Sequence, residues 1–297
     1  RNWDSQPALR VAKEMRRDGN SVWNGDDNVA FGLDTFFDRR NNVQFVVNSI
    51  GGRMDGQVFN ERQWVGDWNT IWDVKVGHFE GGWTVEVAIP FKSLRYRPGR
   101  DQTWGFNAFR TNRWKNELSF LTPVPKVLGQ RGLHQASMAA PLVGLSVPQG
   151  SRNLEVKPYA ISNVSRERLA GSGFDGDVGL DVKYGVTQNL TADFTYNTDF
   201  AQVEADTQQV NLTRFSLFFP EKREFFLEGA GIFSFGTTQG NFGNSGEVPM
   251  LFYSRRIGLE RGAIVPLQVG GRLTGRVGRY SVGFVNIQTG DEEAVSA

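Results

Sequence analysis

Strict two-residue alternation in the second half of the chain constrains its fold more than any other feature. In residues 178–186, 190–196 and 267–277, apolar or small side chains alternate with polar and charged ones. Successive side chains of a β-strand point to opposite faces of a sheet, so each segment is predicted to be a strand with one apolar face. Such strands build the wall of a membrane barrel, with lipid outside and a polar lumen. They also build a soluble sandwich with one wet face, and the alternation supports both.

The first half of the chain carries shorter segments with the same period. They cover residues 29–34, 43–48, 83–89 and 104–113. Antiparallel strands of this length pack face to face in β-sandwiches. We therefore expect an all-β fold, with a β-sandwich in the first half followed by further antiparallel strands in the second half.

Two segments break the alternation. Apolar residues at 9, 12 and 15 share one face between Pro7 and Arg17, and Gly19 can end the segment, so a helix is predicted there. The stretch from Pro141 to Arg152 is rich in proline, glycine and serine, which predicts a linker. With a boundary near Pro148, the expected domains are residues 1–147 and 148–297.

Composition narrows the classes of protein to which this chain can belong. Its 297 residues suggest about two domains, and 35 glycines and 23 phenylalanines fit β architectures with many turns. The net charge of +1 argues against a nucleic-acid partner. The absence of cysteine excludes disulfides, thiolate nucleophiles and Cys-bound zinc. The chain starts at Arg1 without a leader and stops just after a strand-like run, so we expect a fragment of a longer protein.

Residues that carry acid–base or metal chemistry are sparse. The two histidines, His78 and His134, belong to no zinc-binding spacing, and surface positions are predicted for both. No G-x-S-x-G motif is present, so a hydrolase serine is unsupported. Glycoside hydrolysis needs two carboxylates about 5–10 Å apart, a distance that no sequence pattern gives. No catalytic residue is therefore assigned.

Tryptophan is the most informative residue type, since all eight lie before residue 115. Sugar rings present apolar C–H faces that stack on aromatic rings, so exposed tryptophans beside polar side chains are a common basis of glycan binding. Trp23, Trp64 and Trp68 lie in polar, turn-like stretches and are the candidate sugar-binding residues, with a packing role as the alternative. Trp72 and Trp83 are predicted to be core residues.

Four aspartates surround one predicted strand. They are Asp26, Asp27, Asp34 and Asp38. Calcium prefers carboxylate oxygens, so these residues are a candidate calcium site, and calcium is the one cofactor that the sequence suggests. A solvated acidic loop is the alternative.

Three segments of the first half resemble the family 9 carbohydrate-binding-module-like domain of bacteria. They are GLDTFFDRRNNVQFVVNSIGGRMDG within residues 28–56, GGWTVEVAIPFKSLRY at 81–96 and TWGFNAFRTNR at 103–113. The resemblance implies a β-sandwich that binds sugars between aromatic rings, often with structural calcium. The opening strands of that family's domain have no counterpart in this chain.

A long motif in the second half resembles a family of unknown function that follows such modules in Gram-negative bacteria. It reads KYGVTQNLTADFTYNTDFAQVEADTQQVNLTRFSLFFPEKREFFLEG at residues 183–229, and FYSRRIG at 252–258 matches the same family. The resemblance implies an outer-membrane β-barrel protein, so the β-sandwich is expected to be followed by antiparallel strands of a partial outer-membrane-type β-barrel. The role of the segment from Phe218 to Arg223 is left open.

Together these features predict carbohydrate binding at the cell envelope, in carbohydrate capture, uptake or catabolism. The expected partners are a polysaccharide or oligosaccharide and outer-membrane lipid, with the sandwich in the periplasm or at the surface. One alternative is a hydrolase that acts on O-glycosyl compounds, or its accessory subunit. The other is a structural or assembly protein of the outer membrane.

Overall fold

The structure is a computed structural model that describes residues 1–97, 99–148, 154–167, 171–187, 190–198, 221, 223–227, 229–233, 251–260, 263–278 and 280–290. The predicted all-β class is confirmed, because antiparallel sheets dominate and the helices are few and short. The chain forms two compact units that divide between residues 150 and 151. In the part of the chain that is described, no helix is long and apolar enough to cross a membrane.

The first unit contains two antiparallel sheets. Its strands are β1 Asn2–Trp3, β2 Asn28–Asp34, β3 Asn42–Asn48, β4 Arg53–Phe59, β5 Gln63–Val65, β6 Asp73–Phe79, β7 Gly82–Ala88, β8 Gly99–Asn112, β9 Glu117–Phe120 and β10 Ala140–Val147. The larger sheet has the order β10-β8-β2-β3-β4-β5, with β9 paired to β8, and the smaller has the order β1-β7-β6. One short helix, α1 Asn20–Asn24, and 3-10 segments at Pro7–Leu9, Phe91–Ser93, Lys126–His134 and Ala136–Met138 connect them.

The main core of the first unit lies between the two sheets. Alternate side chains of β2, β3 and β8 meet the inward side chains of β6 and β7 there. The buried members are Leu33, Phe45, Val47, Trp72, Leu94, Tyr96, Trp104 and Val147. This is the layered packing of a β-sandwich, in which each sheet hides its apolar face against the other.

A second core covers the opposite face of the larger sheet. There α1 and the segment that ends at Leu133 pack on β2, β3 and β8, and Val22, Ala30 and Val46 are fully buried. The central strands are therefore buried on both faces, which is why polar residues such as Gln44 are also buried.

The helix predicted for Pro7 to Arg17 is wrong beyond its first turn. Only Pro7–Leu9 forms a 3-10 segment. The backbone N–H groups of Val11 and Lys13 donate to the carboxylates of Asp27 and Asp26 instead of to helical carbonyls. A side-chain acceptor thus replaces the i−4 carbonyl, and the segment stays extended.

The predicted linker from Pro141 to Arg152 is also wrong over most of its length. Residues 140–147 form β10, which pairs antiparallel with β8 and is the edge strand of that sheet among the described strands. Pro141 fits because a proline is tolerated on an edge strand.

The second unit is built on one five-stranded antiparallel sheet that curls into a half-barrel. Its order is β11-β12-β13-β16-β17, from β11 Leu154–Glu167, β12 Gly171–Thr187, β13 Leu190–Tyr196, β16 Leu267–Val277 and β17 Tyr280–Thr289. Short strands β14 Leu259–Glu260 and β15 Ala263–Ile264 pair with each other, α2 spans Glu224–Leu227, and 3-10 segments span Ala230–Phe233 and Ser254–Arg256. The strands predicted at 178–186, 190–196 and 267–277 are confirmed; the turn residues 188 and 189 and most of the motif from 199 to 220 lie outside the described residues.

Candidate functional site

Two of the three candidate sugar-binding tryptophans come together in the first unit. The rings of Trp23 and Trp64 lie 6.3 Å apart at an interplanar angle of 25°. The imidazole of His134 is nearly parallel to Trp64, at 7° and 6.0 Å. Both indoles are half-buried, so part of each ring reaches solvent. We name these three residues the aromatic stack.

Local backbone features hold the stack in place. Trp64 lies on the edge strand β5 and packs on β4 at Gly56, where a Cβ atom would lie 2.3 Å from the indole Cη2. Trp23 lies on α1, and its ring meets Phe109 edge-on at 5.4 Å. The carbonyl oxygen of Trp23 accepts hydrogen bonds from Arg113 at 2.9 Å and Gln130 at 3.0 Å. The stack is therefore positioned by the second core and not by a flexible loop.

The surface position predicted for His134 is wrong, whereas His78 is exposed as predicted. His134 is only 8% exposed, and burial together with the charge of Arg131 lowers its pKa to about 4. The imidazole is thus neutral near pH 7 and behaves as a third aromatic ring. The one sequence signal for this role was the neighbouring apolar residue Leu133, which the structure buries.

The other tryptophans divide between packing and partial exposure. Trp72 and Trp83 are fully buried, so their predicted core positions are confirmed. Trp68 is half-buried in the connection between β5 and β6. The structure thus brings Trp23 and Trp64 into the stack and leaves Trp68 outside it.

Asp26 and Asp27 bind backbone amides. Asp26 accepts from the N–H groups of Lys13 at 3.0 Å and Glu14 at 3.2 Å, and Asn48 donates to it at 2.7 Å. Asp27 accepts from the N–H groups of Val11 and Arg113. Both carboxylates are 1% exposed, and their charge stabilises the extended segment that crosses them.

Asp34 and Asp38 shape a turn at the other end of β2. Asp34 accepts from the N–H groups of Asp38 and Arg39, and Asp38 accepts from those of Arg40 and Asn41. Burial raises the pKa of the Asp34 carboxyl.

The single calcium site expected from these four aspartates is therefore not assembled. Asp27 directly precedes β2 and Asp34 ends it, so the two pairs are about 23 Å apart at about 3.3 Å per residue. No group of three or more His, Asp or Glu side chains among the described residues could hold a metal ion.

Asp55 is a buried carboxylate that sequence reasoning did not single out. Trp72 donates its indole N–H to Asp55 at 3.0 Å, Thr70 its backbone N–H at 2.8 Å and Arg17 its guanidinium at 2.6 Å. Burial raises the pKa of Asp55 and, with the charge of Asp55 added, that of Asp18. With three donors, Asp55 anchors the connection that precedes β6.

The sheet of the second unit has one face that carries large apolar side chains, which we name the apolar face. Its exposed members are Leu154, Val156, Val178, Val186, Phe194, Tyr196, Val269, Val277, Tyr280 and Phe284. Cross-strand partners share a face, as the pairs Val182–Phe194 and Leu273–Phe284 do. No described residue covers these side chains, and an exposed apolar surface of this extent is typical of an interaction surface.

The opposite face, which we name the charged face, is covered. Lys183, Asp193 and Arg272 are in register across β12, β13 and β16. The residue Asp193 is 6% exposed and Arg272 is 3% exposed, and Arg272 donates to Asp193 at 3.0 and 3.2 Å. The Nζ atom of Lys183 lies 4.0 Å from the other carboxylate oxygen.

The fold and these faces define an all-β protein with a sandwich unit and a half-barrel unit, and in the half-barrel the apolar face is exposed and the charged face is buried. Residues 151–266 match the family model described as a domain of unknown function (DUF5916). No carbohydrate-binding-module family model matches, so the resemblance of the first unit stays a prediction. No curated protein and no solved structure matches the chain.

Proposed function

We propose that the second unit is part of an outer-membrane-type barrel and that its apolar face contacts lipid. One observation carries this proposal: along the same strands, Phe194 is 45% exposed while the neighbouring Asp193 is 6% exposed. A water-soluble sandwich puts its apolar side chains inside and its charges in water. A barrel in lipid does the opposite, because a lipid-facing Arg or Lys costs about 2–4 kcal/mol at the bilayer midplane.

The dimensions of the apolar face support the same proposal. Tyr196 pairs with Val269 near one end of β16, and Tyr280 pairs with Val277 at the other end. Val269 and Val277 are eight residues apart, which is about 27 Å along the strand at about 3.4 Å per residue and about 19–22 Å in height at the usual tilt of about 35–45°. Lipid-facing bands of outer-membrane barrels are about 25 Å tall and are flanked by aromatic residues. The exposed tyrosines occupy those flanking positions.

Spin labels test the lipid contact. The chain has no cysteine, so Phe194→Cys carries a single nitroxide. Val127→Cys is the matched control, because Val127 is an apolar residue of the first unit that is 92% exposed. In the membrane-reconstituted protein, we expect the label at 194 to be relaxed by lipid-soluble oxygen and the label at 127 by a water-soluble nickel complex. Relaxation of the label at 194 by the nickel complex contradicts the proposal.

A second candidate function, carbohydrate binding by the first unit, rests on the aromatic stack. Trp23 and Trp64 are half-buried rings held at 25° to each other by a rigid core, and flat aromatic surfaces of this kind bind the C–H faces of sugars. In an envelope protein, such a module captures polysaccharide or oligosaccharide beside the membrane.

Substitution of the stack tests carbohydrate binding. On affinity gels with a polysaccharide panel, Trp23→Ala and Trp64→Ala should weaken binding by about 1–3 kcal/mol, as the loss of an aromatic anchor does elsewhere. Trp64→Phe keeps a ring and should retain most of the affinity, and Trp68→Ala tests the third predicted residue. Unchanged retardation in both alanine variants, with the fold intact by circular dichroism, removes the stack from the site. Failure of the parent protein to bind any glycan removes the function.

A further inference from the structure

A segment of the chain itself covers the charged face of the half-barrel. It comprises residues 223–227 and 229–233, and we name it the inner layer. Phe225 and Phe226 are buried in one cluster with Leu267, against which Val285 and Ile287 also pack, and Leu227 is buried as well. The guanidinium of Arg272 lies 5.4 Å from the ring centroid of Phe225.

Two glycines of the sheet make room for the inner layer. A Cβ atom at Gly270 would lie 3.3 Å from Cζ of Phe225. At Gly283 it would lie 2.6 Å from Ile232 and 3.0 Å from Phe233. At these two positions the sheet backbone meets the segment directly, and the contacts there are apolar and non-directional.

Among the described residues, Arg223 gives the inner layer a polar anchor away from the sheet. Its Nε and Nη2 atoms donate to Glu221 at 2.9 and 2.8 Å, and the guanidinium stacks on Phe226 at 4.4 Å. It also donates to the carbonyl oxygens of Ile257 at 2.8 Å and Ser254 at 2.7 Å. We name these contacts the Arg223 clamp. Two of these four hydrogen bonds go to Glu221, just before the inner layer, and two go to the 254–257 turn, so none of the four reaches the five-stranded sheet.

We propose that the inner layer is a plug that the Arg223 clamp holds over the charged face, and that loss of the clamp releases it. Apolar contacts have no directional preference, so the hydrogen bonds of one charged side chain, Arg223, supply the orientation. Release opens the row of Lys183, Asp193 and Arg272 to solvent. A role in transport rests on the proposed function: if the second unit is part of a barrel, release of the inner layer opens a path for polar solutes along the lumen wall.

Cysteine accessibility beneath the plug tests this proposal in the full chain. Thr274 lies on the charged face at 4% exposure, and a Cβ atom at Gly229 would lie 3.4 Å from it, so Thr274→Cys is a conservative reporter. A water-soluble thiol reagent should label Thr274→Cys slowly. Addition of Arg223→Ala should raise the rate by about tenfold or more, since protection depends on the closed population. Arg256→Ala, an exposed arginine of the same turn, should leave the rate unchanged.

The outcomes that overturn the proposal are distinct from those that overturn lipid contact. Rapid labelling of Thr274→Cys alone, or an unchanged rate with Arg223→Ala, means that no releasable plug covers the face. If Arg223→Ala loses its β circular dichroism signal, Glu221→Gln replaces it, with a smaller rise in rate expected. Loss of the sheet in both variants makes the segment a fixed part of the core. None of these measurements depends on the nitroxide at residue 194.

Discussion

Arg272 and Asp193 form a buried ion pair across neighbouring strands of the half-barrel, with Nη2 3.0 Å from Oδ2 and side chains 1% and 5% exposed. The two residues are in register, so the pair is perpendicular to the strands. Burial raises the cost of either charge alone, because a lone ion loses its hydration without a partner. Strand register and charge pairing therefore depend on each other.

Loss of one partner should destabilise the second unit strongly. Asp193→Ala leaves Arg272 buried without its carboxylate, and we expect a loss of about 3–5 kcal/mol in the free energy of unfolding. Glu155→Gln is the control, since Glu155 and Lys157 form an exposed pair 3.2 Å apart whose loss should cost at most about 1 kcal/mol. Urea denaturation followed by circular dichroism measures both. Equal effects of the two substitutions contradict the role of burial.

Adjacent glycines of β16 should respond differently to the same substitution. A Cβ atom at Gly270 would lie 2.7 Å from Thr195 and 3.3 Å from Phe225, whereas nothing lies within 4 Å of one at Gly271. We expect Gly270→Ala to cost about 1–3 kcal/mol through overpacking. Gly271→Ala should be neutral or slightly stabilising, because alanine reduces the entropy of the unfolded chain. Thermal unfolding of the two variants compares them, and equal melting temperatures would show that the inner layer does not press on Gly270.

Removal of the Asp55 carboxylate should destabilise the first unit. Asp55→Ala leaves the indole N–H of Trp72 and the N–H of Thr70 without their acceptor, so we expect a loss of about 2–5 kcal/mol. Asp55→Asn keeps one oxygen and should cost less. Asp73→Ala, at an exposed aspartate on β6, is the surface control. Chemical denaturation monitored by tryptophan fluorescence detects the change, and a parent-like midpoint for Asp55→Ala refutes the anchoring role.

The buried imidazole should make the stability of the first unit depend on pH. The folded-state pKa of His134 is about 4, below the unfolded value of about 6.5, so the unfolded state binds more protons between these values. The stabilisation is complete above about pH 6.5 and decreases as the pH falls towards 4, by up to about 3 kcal/mol.

His134→Phe keeps a ring beside Trp64 and removes the titration. Between about pH 7 and about pH 4.5, the parent should lose more stability than this variant, as measured by urea denaturation at each pH. His78→Ala, at an exposed position, should keep the slope of the parent. Identical slopes for the parent and His134→Phe mean that His134 does not titrate in this range.

The sequence determined the β-strands and the sidedness of the second unit, because a period of two requires no knowledge of distant residues. Residues 190–196 and 267–277 are strands as predicted, and their charged and apolar side chains lie on opposite faces. The core positions of Trp72 and Trp83 followed from the same kind of local pattern.

Only the tertiary structure decided which polar residues became anchors. The helix predicted before Gly19 was overridden because Asp26 and Asp27, distant in sequence, bind its backbone N–H groups. The stacking of His134 on Trp64 joins residues seventy positions apart, and the clamp of Arg223 reaches Ser254, 31 positions further along the sequence. Local periodicity carries no information about such partners, since hydrogen bonds and ring contacts form between surfaces that only the complete fold brings together.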